Sequence, residues 1–184
     1  MPKHALIAIL TLLLVAAGGS VAVAASEPDL AAHGPTAVTG TDATAVFQLG
    51  DRTVRQVRYH DQLTLTYSFA LSNDSRLPVT VAGLAPLAQE PRLFRYTGIT
   101  DADGDPEFSI PAGKRRVVRI SMLMHSCETL SARAGSFATE ANLATSRAGV
   151  LDSVVAVTFP EEVHTGSPRE AFCPNATATS RPPG

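Results

Sequence analysis

The acidic loop DADGDPE, at residues 101–107, carries the side chains best suited to bind a metal ion. Asp101, Asp103 and Asp105 stand at alternate positions, and closely spaced carboxylates are ligands that Ca²⁺ prefers. An EF-hand loop needs glycine at its sixth position and an acid at its twelfth, whereas here glycine is fourth and the twelfth residue is alanine. Aspartate and glycine are also favoured in hairpin turns. We therefore expect a solvated turn, with a calcium site as the alternative.

The segment MLMHSC, at residues 122–127, contains the thioether, imidazole and thiol groups that suit Cu(I). On a β-strand, however, Met122 and Met124 lie on one face and His125 lies on the other. The methionine face continues through Val118 and Ile120, a pattern typical of a hydrophobic core. We expect both methionines to be core residues, with a copper site formed by Met122, Met124 and His125 as the alternative.

The sequence contains none of the common hydrolase or phosphate-binding motifs, such as G-x-S-x-G, S-x-x-K, H-E-x-x-H and the glycine-rich phosphate loop. A Ser-His-Asp triad can still be assembled in three dimensions from distant residues. The candidate general bases for such a triad are His33, His60, His125 and His164. We predict no catalytic residues and no cofactor, so the protein is not expected to be an enzyme, and a secreted hydrolase is the weakest alternative.

Residues 1–25 have the features of an export segment. Lys3 precedes an apolar run, and Ala22-Val23-Ala24 matches the small-residue rule for signal peptidase cleavage. The uncharged stretch from Ala5 to Ala25 is also long enough to span a membrane. We expect either a cleaved signal peptide or a retained single-pass anchor, and in both cases the rest of the chain folds outside the cytoplasm.

The two cysteines, Cys127 and Cys173, both follow the export segment. In an oxidising compartment such a pair most often forms one structural disulfide. Neither cysteine is part of a CxxC motif, which disfavours a reactive or metal-bound thiol. In the chain-entropy model, a bond between them would stabilise the fold by about 4 kcal/mol.

Charge excludes some classes of partner. The formal net charge is −2, which is too balanced to favour nucleic acid or an anionic membrane surface. We expect no nucleic-acid partner. The expected partner is an unidentified protein or a component of the cell envelope.

A two-residue alternation of apolar side chains dominates the middle of the chain and predicts an all-β domain at residues 45–174. The alternation is clearest at residues 63–71 and 115–125, where successive side chains are expected to point to opposite faces of a strand and one face is apolar. Residues 128–147 break the pattern and are expected to form a surface loop with a short helix. Residues 26–44 are predicted to be a flexible linker and residues 175–184 a disordered tail. The remaining predicted strands lie at 45–49, 52–59, 78–84, 93–97, 107–110 and 150–159.

The stretch YSFALSNDSRLPVTVAGL, at residues 67–84, resembles the central hairpin of immunoglobulin-like β-sandwich domains in exported actinobacterial proteins. In this motif Asn73 and Pro78 set a turn, and the alternating apolar residues fill a core. The resemblance implies an immunoglobulin-like, two-sheet antiparallel sandwich of about seven strands, preceded here by the N-terminal signal or anchor helix. It implies no catalytic residues.

Together these patterns predict an exported, envelope-associated domain that acts as an interaction or structural module. A metal-binding secreted sandwich is the main alternative, with Ca²⁺ at Asp101, Asp103 and Asp105 or copper at Met122, Met124 and His125.

Overall fold

The structure is a computed structural model that describes residues 27–41, 43–126, 135–147, 149 and 151–165. In this part of the chain the regular secondary structure consists of ten β-strands. The strands are β1 (Leu30–Thr39), β2 (Ala43–Leu49), β3 (Arg52–Arg58), β4 (Thr64–Asn73), β5 (Val79–Ala85), β6 (Phe94–Asp101), β7 (Phe108–Ile110), β8 (Arg115–Met124), β9 (Ser136–Arg147) and β10 (Leu151–Thr165).

The strands form two sheets. The four-stranded sheet has the order β1-β4-β8-β6, and the six-stranded sheet has the order β2-β3-β10-β9-β5-β7. All neighbouring pairs are antiparallel except β3 and β10, which run parallel. The prediction of an all-β two-sheet sandwich is confirmed. The predicted number of about seven strands was too low, and the sandwich is mostly rather than wholly antiparallel.

The core lies between the sheets and is built from the alternating residues of β4 and β8. Tyr67 and Phe69 of β4 pair in register with Ile120 and Val118 of β8, and all four side chains are buried. Since successive residues of a strand point to opposite faces, this pairing puts one apolar row from each strand into the interior. The ring of Phe159, from β10 in the other sheet, lies with its centroid 5.2 Å from that of Tyr67. The two-residue alternation thus predicted the central strands correctly.

For residues 136–147, strand β9 corrects the expectation of a surface loop with a short helix at residues 128–147, of which 128–134 lie outside the described residues. It is a strand of twelve residues that lies between β10 and β5 within the six-stranded sheet. Its inward positions include the small Ala138 and Ala141 and the polar Thr145, all buried. The pairing with β10 also shifts register between Thr158 and Val163. Small inward residues and a change of register hide the alternation on which the sequence analysis relied.

Strand β1 corrects the expectation of a flexible linker at residues 26–44. It pairs with β4 from Leu30 to Thr39, with a register irregularity between His33 and Ala37. Leu30 is buried, and Ala32 and Val38 pack against the core. An edge strand with an irregularity and few large apolar residues has no regular pattern to detect. The folded domain therefore includes residues 30–39.

Several predicted features lie outside the described residues. They are the N-terminal signal or anchor helix at 1–25, the tail at 175–184, and both Cys127 and Cys173. Among the residues that the structure describes, no helix has the length and apolar character needed to cross a membrane.

Candidate functional site

Asp101, the first candidate calcium ligand, is the last residue of β6, and its side chain is buried. Its Oδ1 accepts hydrogen bonds from the backbone N–H groups of Asp103 and Asp105 at 2.9 and 3.0 Å. Its Oδ2 accepts one from Arg116 Nη1 at 2.8 Å. Burial alone would raise the pKa of this carboxyl, but the backbone donors and Arg116 outweigh it, and the pKa of Asp101 is lowered. Asp101 is therefore an ionised anchor for the loop that follows it.

The structure does not bring the three candidate calcium ligands together. Both carboxylate oxygens of Asp101 are used within the protein, whereas the side chains of Asp103 and Asp105 are exposed. Within the described ranges, no group of three His, Cys, Asp or Glu residues is placed to hold a metal ion. Residues 101–105 do form a turn, in which Gly104 N–H donates to the carbonyl of Asp101. Its first residue, however, is buried and not solvated as expected.

The candidate copper ligands also point apart. Met122 and Met124 are buried in the core, and Met122 pairs with Leu65 of β4. His125 is only half-buried, and its Nδ1 lies 2.8 Å from the hydroxyl of Ser126. The methionine sulfurs therefore act as core packing groups, as the strand pattern predicted, and Cys127 lies beyond the described residues.

His33 is the candidate general base that contacts both a serine and, through it, an aspartate. Ser72 Oγ lies 3.0 Å from His33 Nε2 and 3.3 Å from Asp74 Oδ2, and it is 3.2 Å from the carbonyl oxygen of Ala31. In a catalytic triad the carboxylate contacts the histidine, not the serine. Ser72 is also only 1 % exposed, so the hydroxyl is closed to a substrate. These contacts tie β1 to β4.

The other candidate bases lie on different elements. His60 follows β3 and its carbonyl accepts a hydrogen bond from the N–H of Leu63. His125 follows β8, and His164 lies on β10. The structure therefore gives the four histidines separate surroundings and does not gather them into one site.

A cluster of exposed and half-buried side chains on the six-stranded sheet is the most distinctive surface feature in the described part of the chain. Phe137 of β9 is 45 % exposed, and its ring stacks on that of His164 with centroids 4.4 Å apart. The guanidinium carbon of Arg52 lies 5.5 Å from the centroid of the same ring. Arg52 also binds Glu162 through two hydrogen bonds, of which Nε to Oε1 is 2.6 Å long. We call Arg52, Phe137, Glu162 and His164 the outer-face cluster.

Strand pairing positions the members of this cluster. His164 and Phe137 are directly opposite each other in the β9–β10 ladder. Their neighbours Val163 and Ala138 are buried, so the two rings must point away from the core. Arg52 begins β3, which runs parallel to β10. The ring of Phe137 is therefore exposed to solvent yet in contact with both a histidine and an arginine.

Within the cluster, Arg52 and Glu162 each stabilise the charged form of the other. The hydrogen bond from Arg52, and to a smaller extent its charge, lower the pKa of Glu162 against the opposing effect of desolvation. The same contacts raise the pKa of Arg52. Both groups therefore stay ionised around neutral pH. Because the pair is largely open to water, it orients Arg52 rather than adding much to stability.

A cleft of about 570 Å³ opens beside Phe137, between the segment 87–92 and strand β9. Tyr96 of β6 lines this cleft, and its hydroxyl donates a 2.8 Å hydrogen bond to the carbonyl oxygen of Glu140. Burial, with smaller contributions from the charges of Glu140 and Glu90, raises the pKa of Tyr96, so the hydroxyl stays protonated. The cleft has both charged and apolar lining residues, among them Leu87, Glu90, Arg92, Phe137 and Asn142.

A second ion pair lies on the inner side of the same sheet and supports it. Glu161 is 5 % exposed and Arg55 is 13 % exposed, and Arg55 Nε donates to Glu161 Oε1. Arg55 Nη2 also donates to the hydroxyl of Thr36 at 3.1 Å, which connects β3 to β1. Burial raises the pKa of the neighbouring Tyr67, and the charge of Glu161 raises it further by a smaller amount. The pair holds β3 against β10 and so fixes the strand that carries Arg52.

The sequence pattern does not reveal the outer-face cluster, because its residues come from three strands that are distant in the chain. Arg52 and Glu162 are 110 positions apart. Phe137 lies in the segment predicted to be a surface loop, and that prediction gives no reason to align it with His164. The only local signal was an isolated phenylalanine among small polar residues.

No protein-family model matches the sequence, and no curated protein matches it either.

Proposed function

We propose that this protein is an exported, envelope-associated, non-enzymatic domain that binds a protein partner or another envelope component through the outer-face cluster. The observation that carries the proposal is the exposed ring of Phe137, which stacks on His164 and lies near the guanidinium of Arg52. Aromatic residues and arginine are the side chains most enriched at the energetic centres of protein interfaces. The cluster presents both on a rigid sheet.

Rigidity favours this surface as a binding site. Phe137 and His164 form a cross-strand pair, and Arg52 is oriented by its two hydrogen bonds to Glu162. Side chains that are already ordered lose less conformational entropy when a partner binds. The adjoining cleft offers polar and charged groups that can set specificity around an aromatic anchor.

The metal-binding alternative gains no support from the geometry. The carboxylate of Asp101 is used by its own loop and by Arg116, and Met122 and Met124 are packed into the core. Each candidate ligand set thus has a role in folding that competes with metal binding.

The order of the strands favours the immunoglobulin-like class. Constant-type immunoglobulin domains have sheets A-B-E-D and C-F-G. Here β1, β4, β8 and β6 are adjacent in that order, and so are β5, β9 and β10. With this assignment the seven core strands run A to G along the chain, and β2, β3 and β7 are additions. This order supports the resemblance inferred from residues 67–84.

Variants of the outer-face cluster test the proposed binding site. The tagged full chain is cross-linked in its native envelope, and captured partners are identified by mass spectrometry. Phe137→Ala removes the central ring, while Val154→Ala removes another exposed apolar side chain of the six-stranded sheet and serves as the control. We expect wild type and Val154→Ala to capture the same partner and Phe137→Ala to lose it. Equal capture by all three proteins would refute the assignment of this surface.

Export is tested separately, by expressing the full chain in a bacterial host and fractionating the cells. The residues that support export are the apolar segment 1–25 and the small-residue site at 22–24. We expect the protein outside the cytoplasm, with its N-terminus either trimmed near Ala24 or retained in the membrane. Recovery in the cytosol with both thiols reduced would contradict export.

We also propose that Cys127 and Cys173 form a structural disulfide, as expected for an exported pair. Cys127→Ala and Cys173→Ala should each lower the free energy of unfolding by about 4 kcal/mol, and the double variant should be no less stable than either. Urea unfolding under non-reducing conditions measures these values. Clearly unequal losses would show that the two residues do not share a bond.

A further inference from the structure

The two sheets have four edge strands, and three of them carry features that block pairing with another chain. Strand β7 is only three residues long. Strand β1 contains Pro35 and a register irregularity. Strand β6 has a register irregularity between Tyr96 and Gly98 and carries the charged Arg95. Short length, proline, irregular register and charge are the known devices that protect sheet edges.

Strand β2 has none of these devices. It is seven residues long, with the sequence ATAVFQL, and contains neither proline nor a charged residue. Its pairing with β3 is regular from Ala43 to Leu49. Within the described residues no strand lies beside its other edge. The backbone groups on that edge form a ready template for a further strand.

The side chains of β2 are unusually exposed for an apolar strand. All seven residues are exposed, including Val46 at 49 %, Phe47 at 38 % and Leu49 at 55 %. The other sheet does not cover either face of this strand. A strand with an open edge and uncovered apolar side chains gains both hydrogen bonds and apolar burial when another strand pairs with it.

We propose that a second copy of this chain pairs with this edge, β2 against β2 in antiparallel orientation, so that the two six-stranded sheets become continuous. A two-fold axis perpendicular to the sheet joins each face of one copy to the same face of the other. Residues that lie opposite each other across the axis must therefore point to the same face of the sheet. The register that pairs all seven residues places the axis at Val46. It sets Ala45 opposite Phe47 of the second copy.

The strand is complementary to itself in this register. Small residues meet large ones at Ala45 with Phe47 and at Ala43 with Leu49, while Thr44 meets Gln48. A shift of two residues in either direction leaves two residues of each strand unpaired and keeps only one kind of small–large pair, Ala45 with Leu49 or Ala43 with Phe47. An apolar side chain beside alanine can fill the space above the smaller residue, which favours the fully paired register.

This inference goes beyond the proposed function and does not rest on it, because the outer-face cluster and the open edge of β2 are different surfaces. The contact area of a single strand pair is small, and small interfaces are typically weak or transient. We therefore expect a dimer with a dissociation constant of about 1–100 µM.

A charge exchange at the two-fold axis tests the proposal. In the dimer Val46 faces Val46, so Val46→Glu and Val46→Lys each place two like charges opposite each other. Mixing the two variants places opposite charges there. Val154→Glu and Val154→Lys introduce the same charges at an exposed valine away from the edge and serve as matched controls. Sedimentation velocity of the purified full chain, over about 1–300 µM, measures association.

We expect the wild type and both Val154 variants to dimerise as concentration rises. Each Val46 variant alone should associate at least about tenfold more weakly, and their equimolar mixture should recover dimerisation. A wild type that stays monomeric over the whole concentration range would overturn the proposal. This is the result expected if another segment of the chain covers the open edge of β2. Unchanged association of Val46→Glu, equal weakening by Val154→Glu, or failure of the mixture to recover would overturn it as well.

Discussion

Replacing Asn73 with alanine tests whether a single buried amide organises one end of the sandwich. The side chain of Asn73 is fully buried at the end of β4. Its Nδ2 donates hydrogen bonds to the carbonyl oxygens of Leu77 and Ile110, both at 2.9 Å, and its Oδ1 accepts one from the N–H of Ser75 at 3.0 Å. One side chain therefore links β4, the following turn and the end of β7.

The expected loss of stability follows from the three groups that alanine would leave behind. A hydrogen bond contributes about 0.5–1.5 kcal/mol net, and a buried group left without its partner costs about 1–3 kcal/mol. Ser75 and Leu77 are partly exposed, so water can replace the amide there, whereas Ile110 is fully buried. We expect about 1 kcal/mol for each of the first two and about 2 kcal/mol for Ile110, so Asn73→Ala should lose about 4 kcal/mol of unfolding free energy.

Urea unfolding of the two proteins, followed by circular dichroism, measures this difference. Asn142→Ala is the matched control, because the Asn142 amide donates one 2.8 Å hydrogen bond, to the carbonyl of Pro86, in an exposed setting. We expect Asn142→Ala to lose less than about 1 kcal/mol. If Asn73→Ala loses no more than the control, the amide does not organise the turn and the reasoning is wrong.

Three further experiments test other contacts. Gly40→Ala should lower the unfolding free energy by about 3 kcal/mol, since Gly40 has φ +76° and an added Cβ would lie 2.2 Å from a carbonyl oxygen of β4. Gly104→Ala is the control, because Gly104 has φ +95° but open space around it, and it should lose only about 1 kcal/mol in the same urea assay. Glu161→Gln should lower the unfolding free energy by about 3 kcal/mol, because it leaves the charge of Arg55 without its partner. Replacing both residues with methionine should recover most of that stability, and a double variant that is less stable than Glu161→Gln would contradict the pairing. Because the folded-state pKa of Asp101 is lowered, its contribution to stability is complete above the unfolded pKa near 4 and declines as the pH falls below it. Unfolding at about pH 2.5 and about pH 6 should therefore show a smaller acid loss in Asp101→Asn than in wild type.

The strands that the sequence predicted well are those whose burial follows a local rule. In β4 and β8 the inward residues are large and apolar and recur at every second position, so Tyr67, Phe69, Ile120 and Met122 could be assigned to the core before any partner strand was known. The same rule placed the methionines inside and the histidine at 125 on the other face. Turn residues such as Asn73 were also recognisable, because their side chains act within a few positions of the chain.

The strands that were missed depend on neighbours that the local pattern does not contain. Strand β9 buries alanines and a threonine, whose small or polar side chains carry little signal, and it is a strand because β10 and β5 lie on either side of it. Strand β1 is held by its pairing with β4 and by the contact of His33 with Ser72. Here tertiary contacts outweigh the weak local preference of the segment.

By itself the amino-acid sequence determined the all-β class of fold and the apolar rows of the core, because both depend on the two-residue period of a strand. Only the tertiary structure decided the roles of the polar and exposed residues. Asp101 became a buried anchor because Arg116 and two backbone donors meet it, and Phe137 became part of a surface cluster because Arg52 and His164 come from strands far away in the chain. Such roles depend on which distant groups a side chain meets, and no local pattern encodes that.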